Sequence, residues 1–115
     1  MNVERMTLRV QQALNDANLI AVKYNHQQID VIHLFAALVE ADDGLIPNIF
    51  TKMGINVKLL KVDIKNALDK MPKVMGEGAN ISGVYITRQV YEVLIKADDL
   101  AKKFGDSYIS VEHLL

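Results

Sequence analysis

An internal repeat constrains the fold of this chain more than any other sequence feature. When the sequence is shifted by 80 positions, residues 7–35 align with residues 87–115 without a gap. Ten of the 29 aligned pairs are identical, where ordinary residue usage gives roughly two. The identical pairs are Thr7/Thr87, Val10/Val90, Leu14/Leu94, Ala17/Ala97, Ala21/Ala101, Lys23/Lys103, Ile29/Ile109, Val31/Val111, His33/His113 and Leu34/Leu114. Such self-similarity indicates two copies of one structural unit that pair with each other.

The shared positions predict a capped helix at the start of each copy. The apolar positions 10, 14, 17 and 21 are spaced so that they share one helical face. Thr7 and Thr87 stand where an N-cap hydroxyl would accept a hydrogen bond from a first-turn amide. A polar turn follows, and Gly105 suits the left-handed conformation common after a helix end. Asp30 and Ser110 are then expected to cap a second helix.

Two further helices are predicted in the first copy, a short one from about Ile46 to Met53 and another capped by Asn56. The glycine-containing stretch 72–84 shows no periodicity and is expected to be an exposed connector, with local extension at residues 84–86. We therefore predict an all-α, pseudo-twofold tandem repeat of four-helix units. Repeat one spans about 7–70, the connector about 71–86 and a partial repeat two 87–115, with about 35 residues of the second unit lacking.

Composition excludes several classes of protein. Half of the residues are hydrophobic and 13 basic residues face 14 acidic ones, for a net charge of −1, which favours neither a nucleic-acid partner nor a membrane surface. The same balance argues against a helix-turn-helix DNA reader. There are no cysteines, and the first residues carry no secretion signal, so a cytoplasmic location is expected.

Three stretches resemble the Clp amino-terminal domain family of AAA+ unfoldases, and its ClpB branch in particular. They are residues 25–34 (NHQQIDVIHL), 43–47 (DGLIP) and 52–57 (KMGINV). The resemblance implies an all-α bundle tethered flexibly above a hexameric ATPase ring. It also implies capture of unfolded or aggregated polypeptides, or of adaptor proteins, for threading through that ring. ATP and Mg, contact with DnaK-system co-chaperones and the homohexamer would then belong to other parts of the parent protein.

One departure separates the chain from the related ClpC branch. In that branch both copies carry an acid before the histidine, and the two acids help to recognise phosphoarginine. Here Glu112 precedes His113, but Ile32 precedes His33. The resemblance therefore favours the disaggregase branch over a ClpC-like, protease-associated unfoldase. A stand-alone helical scaffold that binds one folded partner remains an alternative.

Two sets of candidate polypeptide-binding residues follow from the resemblance and from helical spacing. The polar set matches a surface cluster linked to substrate handling in the ClpB family: Thr7, Asp106 and Glu112. Each also has a structural explanation, as an N-cap, a turn residue and a first-turn acid. The apolar set would form a groove on the fifth helix and the helix after it: Leu94, Leu100, Phe104 and Leu115. Apolar residues at this spacing are more often core.

Neither a metal site nor an active site is predicted. His33 and His113 occupy equivalent positions and no carboxylate recurs beside both, which favours a repeated packing role over metal ligation. His26 falls in a polar turn, where we expect it to be solvated. No nucleophile–base pair or nucleotide-binding loop is present in the sequence, so the domain itself is expected to be non-catalytic.

Overall fold

The computed structural model describes residues 6–41, 44–73, 85–105, 108–109 and 111–114, and these are almost entirely helical. The elements are α1 (Leu8–Lys23), β1 (Gln28–Ile29), α2 (Val31–Glu40), α3 (Leu45–Lys52), α4 (Val57–Lys70), β2 (Tyr85–Ile86), α5 (Arg88–Lys103) and α6 (Val111–Leu114). The predicted all-α repeat architecture is confirmed. The third helix lies one residue earlier than predicted, because the left-handed Gly44 (φ 69°) places its start at Leu45.

The beginnings of α1 and α5 match in detail. Each helix has 16 residues and a threonine N-cap, Thr7 or Thr87. In each case the threonine Oγ1 accepts a 3.3 Å hydrogen bond from the amide three residues later. The predicted capping role of both threonines is confirmed.

The ends of α1 and α5 match as well. Each helix is followed by a residue with positive φ, Asn25 at 59° and Gly105 at 75°. Asparagine and glycine are the residues that adopt this conformation at least cost. The predicted left-handed role of Gly105 is therefore confirmed.

The link between the two copies is also symmetric. β1 pairs with β2 in parallel, with Ile29 opposite Ile86, and an isolated parallel bridge joins Met6 to Ile109. A shift of 80 positions converts one pairing into the other. The amide that follows each pairing forms an equivalent hydrogen bond in the two copies. Thr87 N–H donates to the carbonyl of Ile29 and Thr7 N–H donates to the carbonyl of Ile109, both at 2.9 Å. Each copy thus completes the extended segment of the other.

Helix α2 lies at the centre of the core. Five of its ten residues are buried hydrophobics and a sixth buried residue is His33. It contacts α1, α3, α4 and α5, and the alanines at positions 17 and 21 of α1 are fully buried, which lets neighbouring helices approach closely. Because α2 is covered by several helices, the clefts between those helices open onto its side chains.

Candidate functional site

An apolar groove lies where α2, α5 and α6 meet, and we call it the α2–α5–α6 groove. Its volume is about 330 Å³. Every lining residue that the structure describes is apolar: Val31, Ile32, Leu34, Phe35, Leu38, Val93 and Leu114. Val31 is 40% exposed, while Leu34 and Leu38 are buried at its floor. A concave, apolar and partly exposed surface is the type of site that receives apolar side chains of a ligand.

Sequence reasoning did not identify the α2 residues that form this groove. Val31 and Ile32 lie in the first turn of α2, and Phe35 follows one turn later with its ring edge against Phe50, the centroids being 5.9 Å apart. The available signal was that α2 is apolar on nearly every side. A helix of that kind must be surrounded, but which of its faces stays open depends on how α5 crosses it.

The four predicted apolar residues separate into different environments. Leu94 is only 4% exposed and belongs to the core, so its side chain offers no surface to a ligand, and its predicted place in a binding groove is corrected to a packing role. Leu100 and Phe104 are 39% and 67% exposed. They stand seven and eleven residues after Val93, which places all three on one side of α5. Leu115 lies outside the described residues.

The polar candidates Thr7 and Glu112 lie near the same junction of the two copies. Thr7 is half-buried; its Oγ1 caps α1, while its backbone amide bonds to Ile109, three residues before Glu112. Glu112 is exposed in the first turn of α6, where the helix dipole favours an acid. Asp106 lies outside the described residues. The structure therefore explains Thr7 structurally and leaves the Glu112 carboxylate accessible.

His26 is not solvated, contrary to the expectation from its polar turn. It is 2% exposed, and its Nδ1 lies 2.7 Å from Nε2 of His33, which is fully buried. The chain returns into β1 directly after the turn, which folds His26 inward. Its ring also stacks on Tyr24, with the centroids 5.8 Å apart.

The hydrogen bonds of this histidine pair assign its protons. The amide of Asp30 donates to His33 Nδ1 at 2.8 Å, within a capping box that begins α2. His33 must therefore carry its proton on Nε2 and donate it to His26 Nδ1, which leaves the proton of His26 on its own Nε2. The carbonyl of Leu68 lies close enough to raise the pKa of His26 in part, yet no described residue forms a hydrogen bond of ordinary geometry with Nε2.

Burial keeps both rings neutral. Desolvation lowers the pKa of His26 below its usual value, and nearby Lys73 adds to the effect. Desolvation lowers the pKa of His33 as well, and the adjacent His26 opposes a second charge, although Asp30 acts in the other direction. The hydrogen-bond chain gives the same result, since each bond in it requires an unprotonated acceptor nitrogen. The pair therefore joins the end of α1 to the start of α2 as a neutral structural unit.

The described residues include neither a metal-binding cluster nor a membrane-spanning helix. They contain no group of three or more histidines or acids placed to hold a metal ion. None of their helices combines the length and apolar content needed to cross a membrane.

The fold and its groove define an all-α tandem-repeat domain in which two capped helical units share extended segments. The chain belongs to the Clp repeat (R) N-terminal domain family, whose model matches residues 5–115. It is 64% identical over 115 residues to the chaperone protein ClpB of Clostridium perfringens, with all of the chain covered but only 13% of that relative. It thus corresponds to an N-terminal domain of a Clp chaperone and spans about an eighth of the relative's length.

Solved structures share the fold. The Hsp104 N-terminal domain from Candida albicans matches with a TM-score of 0.83 at 18% identity, covering 95% of this chain and 69% of that one. A structure described as part of preliminary investigations of a malarial protein secretion system matches with a TM-score of 0.82 at 29% identity, covering 96% of this chain and 73% of that one. The first likeness, at its low identity, concerns the fold alone.

Proposed function

We propose that this chain is the polypeptide-capturing domain of an ATP-dependent, ClpB-type chaperone that disaggregates stress-denatured proteins. The observation that carries the proposal is the α2–α5–α6 groove, whose described lining side chains are all apolar. Unfolded chains differ from folded ones in exposing apolar side chains, and a groove lined by such side chains recognises that property with little preference for sequence. The domain itself is non-catalytic in this proposal, and ATP and Mg are bound by the AAA+ modules of the parent protein.

Exposed residues on α5 extend the binding surface beyond the groove. Leu100 and Phe104 continue the line of Val93 along α5, so an extended segment could contact all three. Glu112 supplies an accessible carboxylate at the start of α6 for polar or basic groups of the same segment. Each contact is small, and the affinity of one domain is expected to be weak. Six domains tethered to one homohexameric ring would gain strength through avidity.

Ile32 favours the ClpB type over the ClpC-like alternative. This residue occupies the position where the ClpC pattern requires an acid in the first copy, and here it lines the apolar groove. A paired acidic site for phosphoarginine is thus replaced by hydrophobic surface on one side. The further roles that we propose, namely a cytoplasmic location, adaptor binding and cooperation with DnaK-system co-chaperones, follow from the ClpB resemblance.

A binding experiment with matched variants tests the capture proposal. A permanently unfolded protein is titrated into the isotope-labelled chain, and amide shifts are expected on α2, α5 and α6. The double variant Val31→Gln, Leu100→Gln removes two side chains that are 40% and 39% exposed, and should weaken binding about 10-fold. The control Val22→Gln, Leu59→Gln removes two comparably exposed side chains elsewhere (46% and 61%). Equal loss of binding in both variants, or shifts spread evenly over the surface, would refute the assignment of the groove.

A further inference from the structure

A second cleft lies on the opposite part of the first repeat, between α1 and α4, and we call it the lysine cleft. Its volume is about 350 Å³. The floor consists of Ala36 from α2 with Ile64 and Leu68 from α4, all three buried. Ile20 and Tyr24 form the α1 wall. No residue of this cleft lines the α2–α5–α6 groove, so the two surfaces are separate.

Helical spacing explains why apolar and basic groups converge here. On α4, Lys61 and Lys65 alternate with the floor residues Ile64 and Leu68 at intervals of three or four positions, which places the four on adjoining rows of the helix. On α1, Lys23 stands three residues after Ile20 and beside Tyr24. The cleft therefore has an apolar base with ammonium groups on both sides.

The charges of the cleft are unbalanced. Lys23, Lys61 and Lys65 line it together with one acid, Glu40. Among the described residues, none of these lysines has a carboxylate within salt-bridge distance. The whole chain has a net charge of −1, so the basic character is local to this cleft. A ligand with carboxylates would provide the charges that the cleft lacks.

We propose that the lysine cleft is a docking site for a short acidic peptide segment, in which an apolar side chain rests on the floor between carboxylates that pair with Lys23 on one side and with Lys61 and Lys65 on the other. The volume suits one or two side chains rather than a folded surface. A phosphate polymer or nucleic acid fits less well, because it would leave the floor uncovered and place Glu40 against its charges. The site thus selects segments that are both acidic and apolar, in contrast to the wholly apolar groove.

Fluorescence anisotropy with three synthetic peptides tests this inference on the full chain. The first is fluorescein-labelled and carries a leucine flanked by glutamates on both sides; the second has lysine for each glutamate; the third has serine for the leucine. Only the first is expected to bind measurably, and its binding should weaken as salt is raised, because exposed ion pairs are screened. A single-stranded oligonucleotide serves as the competing polyanion.

Two variants of equal charge separate the cleft from general electrostatics. Lys61→Gln with Lys65→Gln should weaken binding of the first peptide about 2- to 30-fold, the range for the loss of two exposed ion pairs. Lys58→Gln with Lys70→Gln changes two exposed lysines of the same helix that do not line the cleft, and should have little effect. Glu40→Gln should strengthen binding, since it removes the one acid among the described lining residues.

Two results would overturn the proposal. One is equal weakening by the two lysine pairs, which would leave only a diffuse charge effect. The other is tight binding of the oligonucleotide, equal to that of the first peptide, which is lost in the Lys61→Gln, Lys65→Gln variant. That result would reassign the cleft to polyanions. All altered side chains are exposed, and circular dichroism checks that each variant folds.

Discussion

Acidification should destabilise the domain through the buried pair His26 and His33. Both have a folded-state pKa below the usual value of 6.5 because burial disfavours their charged forms. The unfolded chain therefore binds more protons than the folded one. The stability that the neutral rings provide is fully present above about pH 6.5 and is lost as the pH falls toward their folded pKa values.

The size of the stability loss on acidification follows from the pKa of the two histidines in the unfolded chain. If a histidine stays neutral in the folded protein while its unfolded form titrates at 6.5, lowering the pH from about 7.5 to about 5.5 costs at most about 1.4 kcal/mol per residue. The pair then costs at most about 2.7 kcal/mol. That is a large fraction of the free energy of unfolding of a typical domain. Two charged side chains act on the pair in opposite directions: Lys73 lowers the pKa of His26, and Asp30 raises that of His33.

Urea unfolding followed by circular dichroism across this pH range measures the loss. The variant His33→Gln is informative because a glutamine at this position can still accept from the Asp30 amide and donate to His26. It should lose roughly half of the pH dependence while costing only about 1 kcal/mol near pH 7.5. A wild-type stability that is flat over this interval, or that rises on acidification, would refute the role of the histidine pair. A His33→Gln variant that keeps the full pH dependence would refute it as well.

Two further perturbations test the capped repeat. Thr7→Ala and Thr87→Ala should each lower the free energy of unfolding by about 1 kcal/mol in thermal melts. The loss should be larger at Thr87, because its hydroxyl also donates to Asp30 Oδ1 at 3.2 Å. A smaller loss at Thr87 would contradict this expectation. Gly105→Ala should cost about 1–2 kcal/mol through its φ of 75°, because no non-adjacent described residue has an atom within 4 Å of an added Cβ. An unchanged melting temperature would refute this prediction.

The repeat made the helical fold predictable, since identical residues recur at the threonine caps and at most of the buried positions of α1 and α5. The same pattern contained the information needed to place Leu94 in the core. Leu94 is the counterpart of Leu14 and belongs to the helical row of Val90, Ala97 and Ala101, all three of which are fully buried. Leu100 and Phe104 lie off that row. Helical position was thus a better guide than hydrophobicity to which residues of α5 stay exposed.

The histidine pair and the α2–α5–α6 groove were not predictable in the same way. His26 is polar and follows the end of a helix, and from local sequence such a residue is expected to be exposed to solvent. Its burial depends on the rings of Tyr24 and His33 and on α4, whose Leu68 lies 42 positions later in the sequence. The groove likewise depends on the crossing of α2 by α5, and no local pattern determines that crossing. Both features are properties of the packing between elements that lie far apart in the sequence.

The two copies preserve their packing and differ in their surfaces, which indicates how one fold can carry two binding sites. The pairs Val10/Val90, Ala17/Ala97 and Ala21/Ala101 are identical and completely buried. Positions that face outward have changed: Ile20 and Tyr24, half-buried walls of the lysine cleft, correspond to the exposed Leu100 and Phe104. In the first copy α4 lies beside these positions and contributes Lys61 and Lys65 to the cleft. Equivalent helical surfaces thus form part of the proposed acidic-peptide cleft in one copy and of the proposed apolar capture surface in the other, because the neighbouring element, rather than the helix itself, decides which chemistry is exposed.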